Sequence, residues 1–184
     1  RRQRQMCIRD RVEFETKINN NVPNHYLQAA FPTDVDAEFV YAQGQFDVVK
    51  RPIAKPDYSK YDEIPMTEQP MNSFVDICNE NEGAAILNTG LKAYESDDDY
   101  NHTVYLSLLR CFELRIYVTP EEQNYSRIEN GSQSFGEHTF RYAFMPHKGD
   151  WEDAQVWKAA EDFNMEILIG QTAPTEHGKN PLEK

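Results

Sequence analysis

Residues 12–18 read VEFETKI, and their alternation decides the fold. Val12, Phe14, Thr16 and Ile18 fall on one side of an extended chain, and Glu13, Glu15 and Lys17 fall on the other. A period of two with one apolar and one wet face is the signature of a half-buried strand. The same period returns in residues 138–146, HTFRYAFMP, where Phe140, Tyr142 and Phe144 alternate with Thr139, Arg141 and Ala143. Between these two stretches lie HYLQAAF (25–31), AEFVYAQ (37–43), FDVV (46–49), SFVDIC (73–78) and GAAILN (83–88). All are short strand candidates, and NNNVPN, PTD and GQ separate the first few as turn chemistry.

Residues 103–112, TVYLSLLRCF, differ from the rest because both faces are apolar. Val104, Leu106 and Leu108 line one side, and Tyr105 and Leu109 the other, which places this strand centrally in a sheet or buried on both sides. Residues 50–73 contain Pro52, Pro56, Pro65 and Pro70, a density that forbids helix and interior strand and leaves a long connection, a strap over the sheet in preference to a binding loop. ESDDDYNH (95–102) and EQNYSRIENGSQS (122–134) are polar loops. One short helix is expected over residues 151–164. Asp150 serves as its cap, Asp153 stands third in the helix, and Trp151, Ala154, Trp157, Ala160 and Phe163 form its apolar stripe. NMEILIG (164–170) reads as one more strand, and the residues from Gln171 onward as a polar loop. Many short alternating strands with one helix define a mainly β chain, an antiparallel β-sandwich.

Composition narrows the function. The opening RRQRQMCIRDR carries +4, so the −12 of the 184 residues concentrates to −16 over residues 12–184. A body that acidic repels phosphate backbones and anionic membrane surfaces, which argues against nucleic-acid and membrane partners and favours a neutral ligand. No apolar run approaches the ~20 residues of a membrane span. Cys7, Cys78 and Cys111 form neither a C-x-x-C pair nor a disulfide framework, so they read as thiols in a reducing compartment.

Catalytic motifs are scarce. His25, His102, His138, His147 and His177 make no tight metal spacing, and the nine residues between His138 and His147 make a poor zinc pair. DVDAE (34–38) lacks the glycine and the final glutamate of a calcium loop, and DDD (97–99) reads as a solvated loop. Ser107 has no G-x-S-x-G elbow around it, and no glycine-rich phosphate loop exists. Asn101, Asn124 and Asn130 open N-x-S/T triplets, which matter only in a secreted chain. Arg110 stands apart at the end of VYLSLLR, where its five donors either fan over a neighbouring cavity or pair with a carboxylate at the rim.

FDVVKRP, FVDICNENEGAAILNTGLKAYE, VYLSLLRCF and GEHTFRYAFMPHKGDW occur in the same order as motifs of the C-terminal β-region of glycoside hydrolase family 38, the α-mannosidases. The likeness runs from about residue 12 to about residue 170 and is strongest to the bacterial branch that includes mannosylglycerate hydrolases. The resemblance implies that residues 12–184 are a partial C-terminal β-sandwich domain, an incomplete supersandwich, of a larger hydrolase whose catalytic domain is absent. It implies zinc-dependent, retaining hydrolysis of α-mannosides by the parent, with the nucleophile and zinc ligands outside this chain. No residue here is a catalytic or metal residue on that reading. Arg110, or less favourably Arg115, becomes the candidate for the substrate cleft, while His147 and Trp151 of the PHKGDW motif become structural, His147 tying down a turn and Trp151 filling the helix–sheet interface. The β-region would pack on the catalytic domain and help close the cleft around a carbohydrate, in a cytoplasmic enzyme. Expressed alone, it would be inactive and prone to aggregate at its unpaired edges. The alternatives are a stand-alone carbohydrate-binding module, with Tyr94, Tyr100, Tyr105, Tyr117 and Tyr125 as platform candidates, or a purely structural domain. Residues 1–11 fit none of the family-like pattern. MCIRDR resembles translated sequencing adapter, so the stretch reads as a non-native leader.

Overall fold

The computed structural model describes residues 11–55, 57, 59, 62, 66–115, 126–127 and 130–165. Its elements in chain order are β1 (Val12–Asn20), β2 (Tyr26–Phe31), β3 (Phe39–Gln43), β4 (Val48–Pro52), β5 (Gln69–Pro70), β6 (Phe74–Cys78), β7 (Glu82–Asn88), β8 (Ala93–Ser96), β9 (Val104–Arg110), β10 (Leu114–Arg115), β11 (Ser126–Arg127), α1 (Asn130–Gln133), β12 (Gly136–Lys148) and α2 (Val156–Asn164). Six strands form one sheet in the order β1-β12-β7-β6-β3-β4, and four form a second in the order β2-β9-β8-β5. β10 and β11 pair with each other. Every pairing among the described residues is antiparallel.

The alternation at residues 12–18 sets the pairing but buries less than expected, because β1 is an edge strand: Val12 is 56 % and Phe14 39 % exposed, and Thr16 and Ile18 are half-buried. β1 lies along β12 with Phe14 opposite Tyr142 and Val12 opposite Phe144. Phe31 of β2 crosses from the other sheet to stack on Phe144 and to meet Phe14 and Tyr142 edge-on. Val75, Ile77, Ala84 and Ile86 from the six-stranded sheet join Tyr94, Val104, Leu106 and Leu108 from the four-stranded sheet in one core. β9 runs between β2 and β8, which is the central place that its two apolar faces require.

β6 and β7 are buried on both faces because the sandwich has a third layer. The outer face of the large sheet presents Phe74, Ala85, Leu87, Ala143 and Met145, and α2 covers them with Val156, Ala159, Ala160 and Phe163. That helix starts later than its sequence implies. Asp150 Oδ1 accepts the backbone N–H groups of Glu152 and Asp153, at 3.0 and 2.8 Å, so it caps a turn rather than the helix. Gln155 then takes a left-handed backbone, φ 51°, and the helix begins at Val156. The expected stripe also rotates. Positions three apart drift about 60° per step around a 3.6-residue helix, so the run from Trp151 to Phe163 cannot stay on one face. Trp157 is 42 % exposed, and Val156 and Ala159 take the buried places.

β5, β8, β10, β11 and α1 had no strand or helix signal in the sequence, being four residues or fewer. Pro52 ends β4 and Pro70 ends β5. Both strands lie at sheet edges, where a missing N–H costs no ladder bond. The expected strand at 164–170, the leader at residues 1–11 and the tail from Gln171 lie outside the described residues apart from Arg11, Asn164 and Met165. No helix among the described residues is long and apolar enough to cross a membrane.

Candidate functional site

A β-bulge builds the site at the end of β9. Register along β2 pairs Tyr26 with Arg110 and Leu27 with Leu109, then shifts so that Gln28 meets Ser107. In an uninterrupted strand, residues three apart point to opposite faces. The extra residue at the bulge resets the alternation and brings Ser107 and Arg110 to the same side. Leu108 and Leu109 are both buried as a result, which simple alternation does not anticipate.

The strap supplies the group these side chains share. Glu68 Oε1 accepts from Tyr26 Oη at 2.8 Å and from Ser107 Oγ at 2.9 Å, and Oε2 accepts from Arg110 Nη1 at 2.9 Å. Gln28 Nε2 donates to Tyr26 Oη at 3.0 Å, and the Tyr26 and Ser107 hydroxyls touch each other closely. Two hydroxyl protons thus serve three oxygen–oxygen contacts, so the network can exchange one hydrogen bond for another without moving a heavy atom. Thr67 Oγ1 donates to Glu95 Oε1 at 2.9 Å, setting a second carboxylate beside the first. Burial, with the charges of Glu68 and Glu95 added, pushes the Tyr26 phenol up to about 12, so it is a neutral hydroxyl at any working pH.

Tyr26, Glu68, Glu95 and Arg110 line a pocket of about 390 Å³ together with His25, Cys111 and Phe112. Arg110 is more than half exposed while Glu68 is 11 % exposed, so the carboxylate is an anchor and the guanidinium faces the solvent. One of five Arg110 donors is used among the described residues. The pocket floor is tied to α1. Asn24 N–H donates to Gln133 Oε1, and Gln133 Nε2 donates to Asn24 Oδ1, both at 2.8 Å, with Gln133 wholly buried. Both outcomes left open for Arg110 thus hold together: it borders a cavity, and it pairs with a carboxylate. Arg115 lies in β10, and its side chain is outside the described residues.

His147 and Trp151 belong to a second cluster on the opposite side of the large sheet. His147 sits opposite Gly83 and reaches across it to Asp76 on the next strand, Nε2 to Oδ1 at 2.8 Å. Gly83 is obligatory there. A Cβ on it would lie 2.3 Å from His147 Cε1 and 2.7 Å from Cys78 Cβ. Burial alone would lower the imidazole pKa, but the hydrogen bond and charge of Asp76 outweigh it and raise the value. Burial, then the charge of Asp76, pushes the Cys78 thiol up, so it stays protonated and unreactive. Trp151 packs over Tyr41 and Phe74 at 6.3 Å between ring centroids.

The other sequence candidates do ordinary structural work. His138 Nε2 contacts the Ser134 carbonyl at 2.7 Å. Nine residues of extended chain separate it from His147 by about 30 Å, so the two cannot share a zinc ion. Among the described residues, no three His, Cys, Asp or Glu side chains converge to hold a metal. Asp34 donates its N–H to the Asn101 carbonyl, and Asp99 caps Thr103 through N–H and Oγ1, both at 2.8 Å. Tyr94 is buried, Tyr100 is 96 % exposed and Tyr105 lies between, so these three make no shared platform; Tyr117 and Tyr125 fall outside the described residues. Glu68 and Tyr26 escaped the sequence reading, and Ser107 was weighed there only as a nucleophile and set aside. The connection was read as a strap over the sheet in preference to a binding loop, and the one available signal was an acidic residue two positions before Pro70.

Residues 9–113 match the family model described as "Glycosyl hydrolases family 38 C-terminal domain". The match includes Tyr26, Glu68, Ser107 and Arg110 and stops short of His147. The chain is similar to the protein named "Putative mannosylglycerate hydrolase" from Halalkalibacterium halodurans, 28 % identical over 92 % of this chain and 18 % of that protein. It is similar to "Alpha-mannosidase 2C1" from Homo sapiens, 27 % identical over 85 % of this chain and 13 % of the relative. Its fold matches the crystal structure of an alpha-mannosidase from Enterococcus faecalis V583 with a TM-score of 0.75 and 28 % identity, over 92 % of this chain and 18 % of that one. The chain therefore spans less than a fifth of the length of these relatives.

Proposed function

The chain belongs to the glycosyl hydrolase family 38 C-terminal domain family, and from that premise we propose that it is the non-catalytic β-region of an α-mannosidase-type enzyme, with Arg110 on the rim of the sugar cleft. The observation that carries this reading is the held yet exposed guanidinium. Glu68 fixes one end of Arg110 at the mouth of the 390 Å³ pocket and leaves the remaining donors facing outward. Such a group can donate to sugar hydroxyls without the entropic cost of ordering a loose side chain. In this reading the sandwich packs on a catalytic domain and closes one side of its cleft, and the chain alone turns over no substrate.

The retaining chemistry, its nucleophile and the zinc ion belong to that other domain. The described residues offer no ligand set for zinc, so none of its work is assigned to this chain. Cytoplasmic residence is part of the same proposal, supported by Cys78 and Cys111 being buried free thiols.

The test is Arg110→Ala in the full-length enzyme with an aryl α-mannoside. Losing a charge-assisted hydrogen bond costs roughly 1.5–3 kcal/mol, so kcat/KM should fall about ten- to a hundredfold with an unchanged unfolding temperature. A folded variant with full activity removes Arg110 from the cleft.

A further inference from the structure

We propose that the pocket between the β3–β4 hairpin and the start of α2 is a saccharide site, in which Phe46 and Trp157 stack on sugar rings while Gln45, Asp47 and Glu152 bond their hydroxyls. It takes no part in the reaction proposed above and does not depend on the place of Arg110. The two pockets share no lining residue. Arg110 belongs to the small sheet, whereas this pocket lies beside α2, on the outer face of the large one.

The cavity is about 510 Å³, lined by residues 43–48 of the hairpin and by Trp151, Glu152 and Trp157. Its aromatic rings stand outside the core. Phe46 is 99 % exposed and Trp157 42 %, and large exposed rings gathered in one place mark a recognition surface. The tip that carries Phe46 is fixed from behind. Gly44 N–H donates to the Asp47 carbonyl and Asn72 N–H to the Gln43 carbonyl, both at 2.7 Å, and Ser73 N–H donates to Gln43 Oε1 at 3.1 Å. Trp151 is fixed as well, packed over Tyr41 and Phe74. Rings held this way lose little freedom when a ligand arrives. The negative face of an aromatic ring attracts the polarised C–H bonds on the flat side of a pyranose. Around those rings, the exposed carboxylates of Asp47 and Glu152 accept hydroxyl protons, and the exposed Gln45 amide both donates and accepts. The same carboxylates argue against a dry protein face as the occupant. Such a face would strip their water and leave buried charges, whereas sugar hydroxyls replace that water bond for bond. A second copy of the patch would set like charges against each other.

The experiment measures retention of the full-length enzyme on insoluble α-mannan and on insoluble cellulose, for the wild type, Phe46→Ala and Trp157→Ala, with kinetics on 4-nitrophenyl α-mannoside alongside. The wild type should be retained on at least one matrix. Each substitution should weaken that retention about two- to tenfold, the scale of one aromatic contact, and leave kcat/KM on the small glycoside unchanged. Retention of both variants equal to that of the wild type, or no retention of the wild type on either matrix, overturns the proposal. In that case a lowered unfolding temperature of Phe46→Ala assigns the patch to a protein face instead. A loss of retention matched by an equal loss on the small glycoside also overturns it, because the pocket would then act through the reaction. Arg110→Ala should leave the retention lost through Trp157→Ala unchanged in size, so the saccharide site and the cleft assignment can fail separately.

Discussion

Two acid–base pairs in this domain have nearly the same bond length and opposite consequences. Asp76 and His147 meet at 2.8 Å with side chains 0 % and 5 % exposed, and Glu68 and Arg110 meet at 2.9 Å with side chains 11 % and 56 % exposed. The first pair is sealed between the large sheet and the turn that leads into α2. The second opens on a pocket. In the sealed pair, each partner exists to satisfy the other, because an unpaired charge in that place is costly. In the open pair, water screens the attraction, and what remains useful is the orientation it imposes on the guanidinium. The distance between partners is therefore a poor guide to their role, and access of water is a good one.

The strongest way to break the contrast is Gly83→Ala. The added Cβ must displace His147, which it would approach to 2.3 Å, and so uncouple the ring from Asp76. Leaving a buried carboxylate without its partner costs roughly 3–5 kcal/mol, which should appear as a large drop in the thermal unfolding midpoint of the full-length enzyme or as loss of soluble protein. A loss below about 1 kcal/mol, the range of exposed pairs, would mean that the sealed pair stabilises no more than the open one. Arg110→Ala is the converse case. Its stability cost should stay within about 1 kcal/mol, while activity falls by the larger factor given above. Circular dichroism melts and kinetics on the same variant check both halves.

The same contrast explains what could be read from the sequence. Alternation located β1 and β12, because a period of two follows from turning one face to the core and survives whatever the partner strand is, while β2, β3, β4, β6 and β7 were legible as short apolar runs between turns. VYLSLLR placed itself at the sheet centre because both of its faces are apolar. The helix at 151–164 was legible as an element, but its start was not, because the left-handed backbone at Gln155 leaves no mark on the apolar spacing. Gly83 and His147 are 64 positions apart, and nothing in GAAILN or PHKGDW says that one ring will lie on the other backbone. The open site was less legible still. Arg110 stood out as a charge closing an apolar strand, but Ser107 joins it only through a bulge that alternation cannot show. Glu68 comes from a proline-rich strap whose course depends on tertiary packing.

A subtler separation comes from pH. His147 has a raised folded value, so the pair's contribution is fully present below the ordinary imidazole value of 6.5 and is lost as pH rises through the folded value. The enzyme's unfolding midpoint should decline on the alkaline side of neutrality, and Asp76→Asn should flatten that decline because it removes the charge that holds the proton. An Asp76→Asn profile parallel to the wild type would detach the pH dependence from this pair.

The smallest effect tests how the open site is held. Tyr26→Phe removes one of three donors to Glu68 and frees Ser107 from its contact with the phenol, leaving Ser107 and Arg110 on the carboxylate. A hydroxyl bond to a carboxylate is worth up to about 1.5–3 kcal/mol, but Ser107 and Arg110 still hold Glu68, so the net loss should stay near the ~0.5–1.5 kcal/mol of an ordinary hydrogen bond, and Gln28 loses its bond to the phenol at the same time. If the phenol positions Arg110 through Glu68, kcat/KM on an aryl α-mannoside should fall about two- to tenfold, with most of the change in KM and the melting temperature nearly unmoved. The split matters more than the size. Arg110→Ala in the Tyr26→Phe background should then cost less than it does alone, because both substitutions spend the same contact. Full additivity of the two would show that Tyr26 and Arg110 act separately and that Glu68 does not couple them.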